Sequence, residues 1–326
     1  VAGSGCTIRS IERNWQFRGR KTCQNRSIER NWQPYTRRVP ELPEVEALAL
    51  DLRGRLHGRA ITAVHVAAFS ALKTYDPPLS ALAGTLVDDV TRHGKFLDIE
   101  ASGLHVVLHL ARAGWVRWRE EVPAVPPKPS NKSPLAVRIV LDDDSGLDVT
   151  EAGTKKSLAM YVVRSPADVP GIVSLGPDPL ADDFTIEALA TILARQGGKQ
   201  IKGVLRHQGT IAGIGNAYSD EILHAARMSP FKPTSSLDED DLATLYAAIR
   251  DTLGDAVGRS RGLAASELKG EKKSHLAVHA QTGKPCPVCG DTVREVSFAD
   301  SSLQYCPTCQ TGGKLLADRR MSRLLK

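Results

Sequence analysis

Residues 201–230 read IKGVLRHQGTIAGIGNAYSDEILHAARMSP: a short helix, a glycine-rich turn ending at Asn216, and a second helix carrying Ile222, Leu223 and Ala226. Gly213 and Gly215 let the backbone come close to a ligand, and the helix N-terminus just beyond them offers unpaired amides to a phosphate. The run lacks the third glycine and the preceding strand of a dinucleotide-binding turn, so alone it reads as an ordinary helix-turn-helix packing corner. Helical periodicity flanks it at Ile186 to Arg195 and at Asp238 to Gly258. A helical domain is expected over residues 185–281.

Upstream the period changes. Leu135, Val137, Ile139 and Leu141 alternate with polar or small neighbours, as a half-buried strand requires. Ile61 to Val66, Phe96 to Ile99, Leu104 to Leu110 and Leu158 to Val163 are similar short β-type runs, separated by Gly, Pro and Asp turns. Ahead of them Pro43 suits a helix start, and Val45, Leu48, Ala49, Leu52 and Leu56 recur at helical spacing. Residues 39–165 are thus expected to form one amphipathic helix and a β-sandwich. A Pro/Gly stretch at 166–184, which contains LGPDPL at Leu175 to Leu180, reads as a hinge, and the fold class is α+β.

The segment 282–326 is too rich in Cys, Pro and Gly for helix. Cys286, Cys289, Cys306 and Cys309 form C-x2-C-x16-C-x2-C, in which two tight turns on a hairpin present four thiolates to one structural zinc ion. A redox pair is the alternative, but two such turns at this separation favour zinc. Cys6 and Cys23 belong to neither arrangement.

The net charge of +6 would suit a nucleic-acid binder, yet its distribution weakens that reading. Residues 1–38 carry nine Lys/Arg against Glu12 and Glu29, which leaves the rest of the chain at −1. Within the body, residues 201–326 hold 17 Lys/Arg against 14 Asp/Glu, and that excess lies mostly in the last residues, where Lys314, Arg319, Arg320, Arg323 and Lys326 face Asp318 alone. Residues 1–38 also hold the octapeptide RSIERNWQ twice, at Arg9 and at Arg26, without a periodic apolar face. Two short copies cannot stack into a solenoid. The segment is expected to be a spurious or disordered extension, either a basic arm or, as favoured here, upstream sequence translated ahead of a start at Val39. No apolar run approaches the roughly 18 residues of a membrane span, so no membrane partner is expected, and the chain is placed in the cytoplasm with the nucleoid.

Taken in order, PELPEVE at Pro40 to Glu46, RHGK at Arg92 to Lys95, LGPDPL, IAGIGNAYSDEIL and the cysteine motif ending CPTCQ resemble the formamidopyrimidine-DNA glycosylase/endonuclease VIII family over residues 39–311. The resemblance implies an N-terminal helix plus β-sandwich, a helix-two-turn-helix domain and a zinc-finger hairpin, acting as a monomer on damaged duplex DNA held between the lobes. It also implies a base-excision glycosylase and abasic-site lyase. Pro40, at a mature N-terminus, would be the nucleophile, because a secondary amine with a pKa near 8 is partly neutral at physiological pH and can attack a sugar C1′. Glu41 would protonate and open the deoxyribose ring, and Lys95 would stand near the phosphate and assist β-elimination. Lys202 and Asn216 match phosphate-contacting positions. Two alternatives are a lyase with little base excision, and a non-catalytic damage-binding protein if Pro40 stays blocked.

Departures from the family pattern bear on specificity. Arg112 stands in HLARAG where a Met usually fills the vacated stack, and EAGTKKSL from Glu151 replaces the usual wedge, leaving Lys155 and Lys156 as its nearest cations on the DNA. His207 replaces an Asp, and Ser301 replaces the zinc-finger Arg five residues before the third Cys. The lesions expected are oxidised bases, pyrimidines or ring-opened products ahead of 8-oxoguanine.

Overall fold

The computed structural model describes residues 40–130, 132–153, 155–298 and 301–317. The extension at 1–38 and the tail cations Arg319, Arg320, Arg323 and Lys326 lie outside the described residues.

Pro43 opens α1 (Leu42–Leu56), as its fixed φ and missing N–H favour a first helical turn. Strands β1 (Ile61–Val66), β2 (Val87–His93), β3 (Phe96–Ala101), β4 (Leu104–His109), β5 (Gly114–Arg119), β6 (Leu135–Leu141), β7 (Gly146–Glu151) and β8 (Ala159–Val163) follow. They pair antiparallel in two four-stranded sheets, ordered β1-β6-β7-β5 and β2-β3-β4-β8. The expected limits of β1 and β6 are met. β2, β5 and β7 have too little alternation to be read from sequence. In β7, Leu147 and Val149 face the sandwich core, and Asp148 on the opposite face is buried all the same, held by Arg138 across the ladder at 2.7 and 3.0 Å and by Arg119 at 2.8 Å. A paired charge occupies a position that would otherwise be apolar.

The short α2 (Pro170–Val173) lies in the expected hinge. The helical domain comprises α3 (Ile186–Ala194), α4 (Ile201–Arg206), α5 (Asn216–Ala225), α6 (Glu239–Ser260) and α7 (Leu268–His275). The cysteine-rich end contains the hairpin β9 (Arg294–Ser297) and β10 (Ser302–Tyr305), then α8 (Pro307–Thr311). Among the described residues no helix is long and apolar enough to cross a membrane.

α1 belongs to two cores at once. Val45, Leu48, Leu52 and Leu56 pack into the sandwich, whereas Leu42 packs with Ile211, Ile214 and Tyr218 in the helical domain. The chain entering α1 is therefore pinned at the junction of the two domains. Arg92 reinforces that junction, bonding Glu46 of α1 at 2.7 Å and Asp178 of the LGPDPL segment at 2.6 Å.

Candidate active site and nucleic-acid interface

The glycines of the α4–α5 turn exist for the N-terminus of α1. Gly213 has φ +83°, its carbonyl accepts the Leu42 N–H at 3.0 Å, and a Cβ there would fall 2.7 Å from Leu42 Cβ. A Cβ on Gly215 would fall 2.4 Å from Glu41 Cδ. Gln208 ties the turn shut, donating to the Ile214 carbonyl at 2.7 Å and accepting from Gly213 N–H at 3.0 Å. The anion at the α5 N-terminus is thus the protein's own Glu41 carboxylate, where the sequence had suggested a phosphate. It accepts from the N–H groups of Gly215, Ala217 and Tyr218 at 2.7, 2.9 and 3.2 Å. A carboxylate at a helix N-terminus satisfies amides that have no partner within the helix.

Glu44, one turn into α1, completes the anchor. Its carboxylate accepts from Glu41 N–H at 2.8 Å, from the Tyr218 hydroxyl at 2.8 Å and from Lys272 Nζ at 2.7 Å. Burial would push the Glu41 carboxyl up, but Lys272, then Lys95 and the Ala217 amide, more than offset it and hold the pKa at about 2. Glu41 is a carboxylate at rest, so it can protonate a sugar oxygen only after first taking a proton.

Lys95 sits in the β2–β3 turn beside Gly94, which has φ +56°. Burial lowers its pKa most; Lys272 and Arg206 lower it further, and Glu41 opposes them. His109, at the end of β4, is pushed down to about 4 by burial and by Lys95, and is neutral at physiological pH. Pro40, Glu41 and Lys95 are therefore gathered in one place. Pro40 is buried and covalently precedes the anchored Glu41, and Lys95 lies within electrostatic range of that carboxylate.

Asn216 begins α5 beside the anchor. Its Nδ2 donates to the Ser302 carbonyl of β10 at 2.7 Å, while its Oδ1 is buried without a partner among the described residues. Lys202 requires a correction. All three of its ammonium donors are spent internally, on Asp220 at 2.6 Å, Ser219 Oγ at 2.8 Å and the Asn216 carbonyl at 3.2 Å, and the side chain is buried. It braces α4 against α5 in place of reaching a phosphate. Arg112 is exposed on the β4–β5 turn next to Ala111, which has φ +51°. Lys155 is exposed, and Lys156 donates to the Glu151 carbonyl. His207 caps the end of α4 and bonds Thr210 Oγ1 at 3.0 Å.

The Sγ atoms of Cys286, Cys289, Cys306 and Cys309 all lie within 4.8 Å of one another. Tetrahedral zinc with bonds of about 2.3 Å places sulfurs roughly 3.8 Å apart, so this donor set fits one zinc ion. His224 of α5 meets Cys286 Sγ at 3.2 Å and Gln310 of α8 donates to the Met228 carbonyl at 3.0 Å, which fastens the finger to the helical domain.

Sequence reasoning missed Glu44, Tyr218, His224 and Lys272. The spacing of Glu44 three residues after Glu41 was a usable signal, being that of a helix-capping pair. Lys272 carried none, because α7 shows no apolar stripe to announce itself as buried.

Three family profiles match the chain: the formamidopyrimidine-DNA glycosylase N-terminal domain over residues 39–157, the formamidopyrimidine-DNA glycosylase H2TH domain over 175–266, and the zinc finger found in FPG and IleRS over 283–312. A formamidopyrimidine-DNA glycosylase-like protein of Mycobacterium tuberculosis is 61% identical over 160 residues, 49% of this chain and 99% of its own length. The formamidopyrimidine-DNA glycosylase of Symbiobacterium thermophilum is 33% identical over 294 residues, covering 86% of this chain and 93% of the relative. Among solved structures, that of the Lactococcus lactis Fpg in complex with abasic-site DNA superposes with a TM-score of 0.73 at 25% identity, over 83% of this chain and 99% of that one.

Proposed function

The chain belongs to the formamidopyrimidine-DNA glycosylase family, and from that premise we propose that it is a base-excision DNA glycosylase with abasic-site lyase activity, working through an iminium on Pro40. The observation that carries this reading is the anchor around Glu41: three amides and Lys272 hold a carboxylate, charged at rest, on the residue that follows Pro40. The active form begins at Pro40, because a proline nitrogen acylated by residue 39 is an amide with no basic lone pair.

The Pro40 nitrogen attacks C1′, and the bond from C1′ to the base breaks with its electron pair leaving on the base. The nitrogen then sheds its proton to the Glu41 carboxylate. Glu41 passes that proton to O4′ as the C1′–O4′ bond breaks and the nitrogen lone pair closes the C=N⁺ iminium. Glu41 is thus a relay, which reconciles its low pKa with ring opening. Water then takes a C2′ proton, the C2′–H electron pair forms the C2′=C3′ double bond, and the C3′–O bond breaks with its pair on the 3′ phosphate, the Lys95 cation standing beside the departing charge.

On the DNA, Asn216 holds the phosphate backbone with the finger hairpin, and Arg112 and Lys155, both exposed, face the stack vacated by the extruded nucleotide. Lys156 adds charge to the same loop. The protein acts as a monomer in the cytoplasm, on the nucleoid, and prefers oxidised pyrimidines and ring-opened bases. Base release and strand scission on duplexes that carry single defined lesions test this. Scission at abasic sites without base release would leave a lyase, and binding without either would leave a damage-binding protein.

Ser301 makes a separate prediction. It lies in the β9–β10 turn, next to Ser302, whose carbonyl holds Asn216. A cation there would lower the cost of charge on the departing 5′ phosphate, and serine supplies none. β-Elimination product is expected to accumulate ahead of δ-product, and Ser301→Arg should speed the second step by roughly 10-fold to 100-fold, since charge-assisted contacts are about twice as strong as neutral ones. Gels of 5′- and 3′-labelled abasic duplexes measure it; prompt β,δ-elimination by the wild type would remove the argument.

A further inference from the structure

α7 reads LKGEKKSH, and on the side facing α1 it buries a lysine: Lys272 is 4% exposed. The ammonium donates to Glu44 Oε2 at 2.7 Å, stands 3.9 Å from Glu41 Oε1 and lies 4.6 Å from the centroid of the Tyr218 ring. The Glu44 oxygen that it meets also accepts the Glu41 N–H, so this positive charge is two hydrogen bonds from the peptide that links Pro40 to Glu41. An ion cluster removed from water on this scale is weak evidence for stability and stronger evidence for a site that needs its charges fixed.

We propose that Lys272 is a positioning residue for the reaction at Pro40: its ammonium, wedged between Glu44 and Glu41, holds the Glu41 carboxylate against the α5 N-terminus and places a fixed positive charge beside the proline amine. This rests on the reading of Pro40 as nucleophile. The charged and titratable groups of this cluster are Glu41 just before α1, Glu44 from α1, Tyr218 from α5, Lys95 from the β2–β3 turn, Arg206 from α4, and His279, which follows α7. Glu271, on α7 itself, is taken up by Arg259 of α6 at 2.8 Å. Against the burial that raises the Glu41 pKa, Lys272 is the largest opposing charge. Without it, the Glu41 carboxyl and the Pro40 amine both hold their protons more tightly.

The test uses the full chain beginning at Pro40, a duplex with a preformed abasic site, and single-turnover borohydride trapping across the pH range. Lys272→Met should move the acid limb of the trapping profile up by about one pH unit or more, that is, a tenfold change in proton affinity. Lys272→Arg should keep it near the wild-type position. Because Lys272→Met strands a buried carboxylate, the double variant Glu44→Gln/Lys272→Met is measured beside it and should show a smaller displacement in the same direction, since Glu44→Gln removes an opposing negative charge. A lysine that only fastens α7 would lower the rate equally at every pH, and an unmoved limb in both variants overturns the proposal while leaving Pro40 intact. Absence of any wild-type adduct would overturn the Pro40 reading itself, and this inference with it.

Discussion

Glu41→Gln is expected to abolish borohydride-trapped adduct and base release while leaving affinity for an abasic-analogue duplex within about tenfold. The glutamine oxygen can still accept the amides on one side, but its NH₂ then confronts a backbone donor on the other, because Gly215 and Tyr218 meet one carboxylate oxygen and Ala217 the other. Loss of a positioned proton relay slows such steps by about 10² to 10⁴. Stability should fall as well, by about 1.5 to 3 kcal/mol for a charge-assisted contact. Its pH dependence has a definite sign. The folded pKa of about 2 lies below the ordinary 4.5, so the ionised carboxylate stabilises the fold above pH 4.5, and this contribution is lost as pH falls toward 2. Thermal melts of wild type and Glu41→Gln should therefore converge across that window. Equal losses of affinity and rate would make Glu41 a structural charge only.

Cys306→Ser should release zinc and weaken duplex binding by about 10²-fold or more, with the two larger cores still folded. The reason is size. Among the described residues the cysteines are packed with Val278 and Val293, and the hairpin adds a second small cluster of Val296, Leu303 and Tyr305, too little to fold without metal. Structural zinc supplies roughly 10 to 16 kcal/mol to such a unit. With the finger unfolded, the Ser302 carbonyl no longer orients Asn216, so the phosphate contact loses both partners. Metal content and fluorescence anisotropy on the same preparation decide it. One retained zinc with unchanged affinity would contradict the assignment.

What could be read from sequence was whatever periodicity or spacing encodes. β6 carries apolar residues at every second position, β1 is a short β-type run bounded by turn residues, and α3 and α6 carry apolar stripes, so their positions were legible. β7 was not, because Asp148 and Glu151 are buried by pairing: Arg138 and Arg119 satisfy the first, and the amides of Ser157 and Leu158 the second. α7 escaped because a buried lysine does not look like core. At the site, Gly213 and Gly215 read as points where the backbone meets a ligand, but what approaches them is Leu42 and Glu41, the latter 174 residues earlier than Gly215. Spacing cannot reveal a partner that only the fold brings near. Lys202 illustrates the converse, a motif position whose charge is consumed by Asp220 of the same motif.

Catalysis by Pro40 requires that the iminium form on its nitrogen. A chain beginning at Pro40 is incubated with abasic-site duplex, reduced with borohydride, digested and mapped by mass spectrometry, beside a chain that retains residue 39. The prediction is a single reduced adduct on the Pro40 nitrogen in the first chain and none in the second. An adduct on Lys95 or Lys272, or an equal yield from the chain in which Pro40 is an amide, would contradict it.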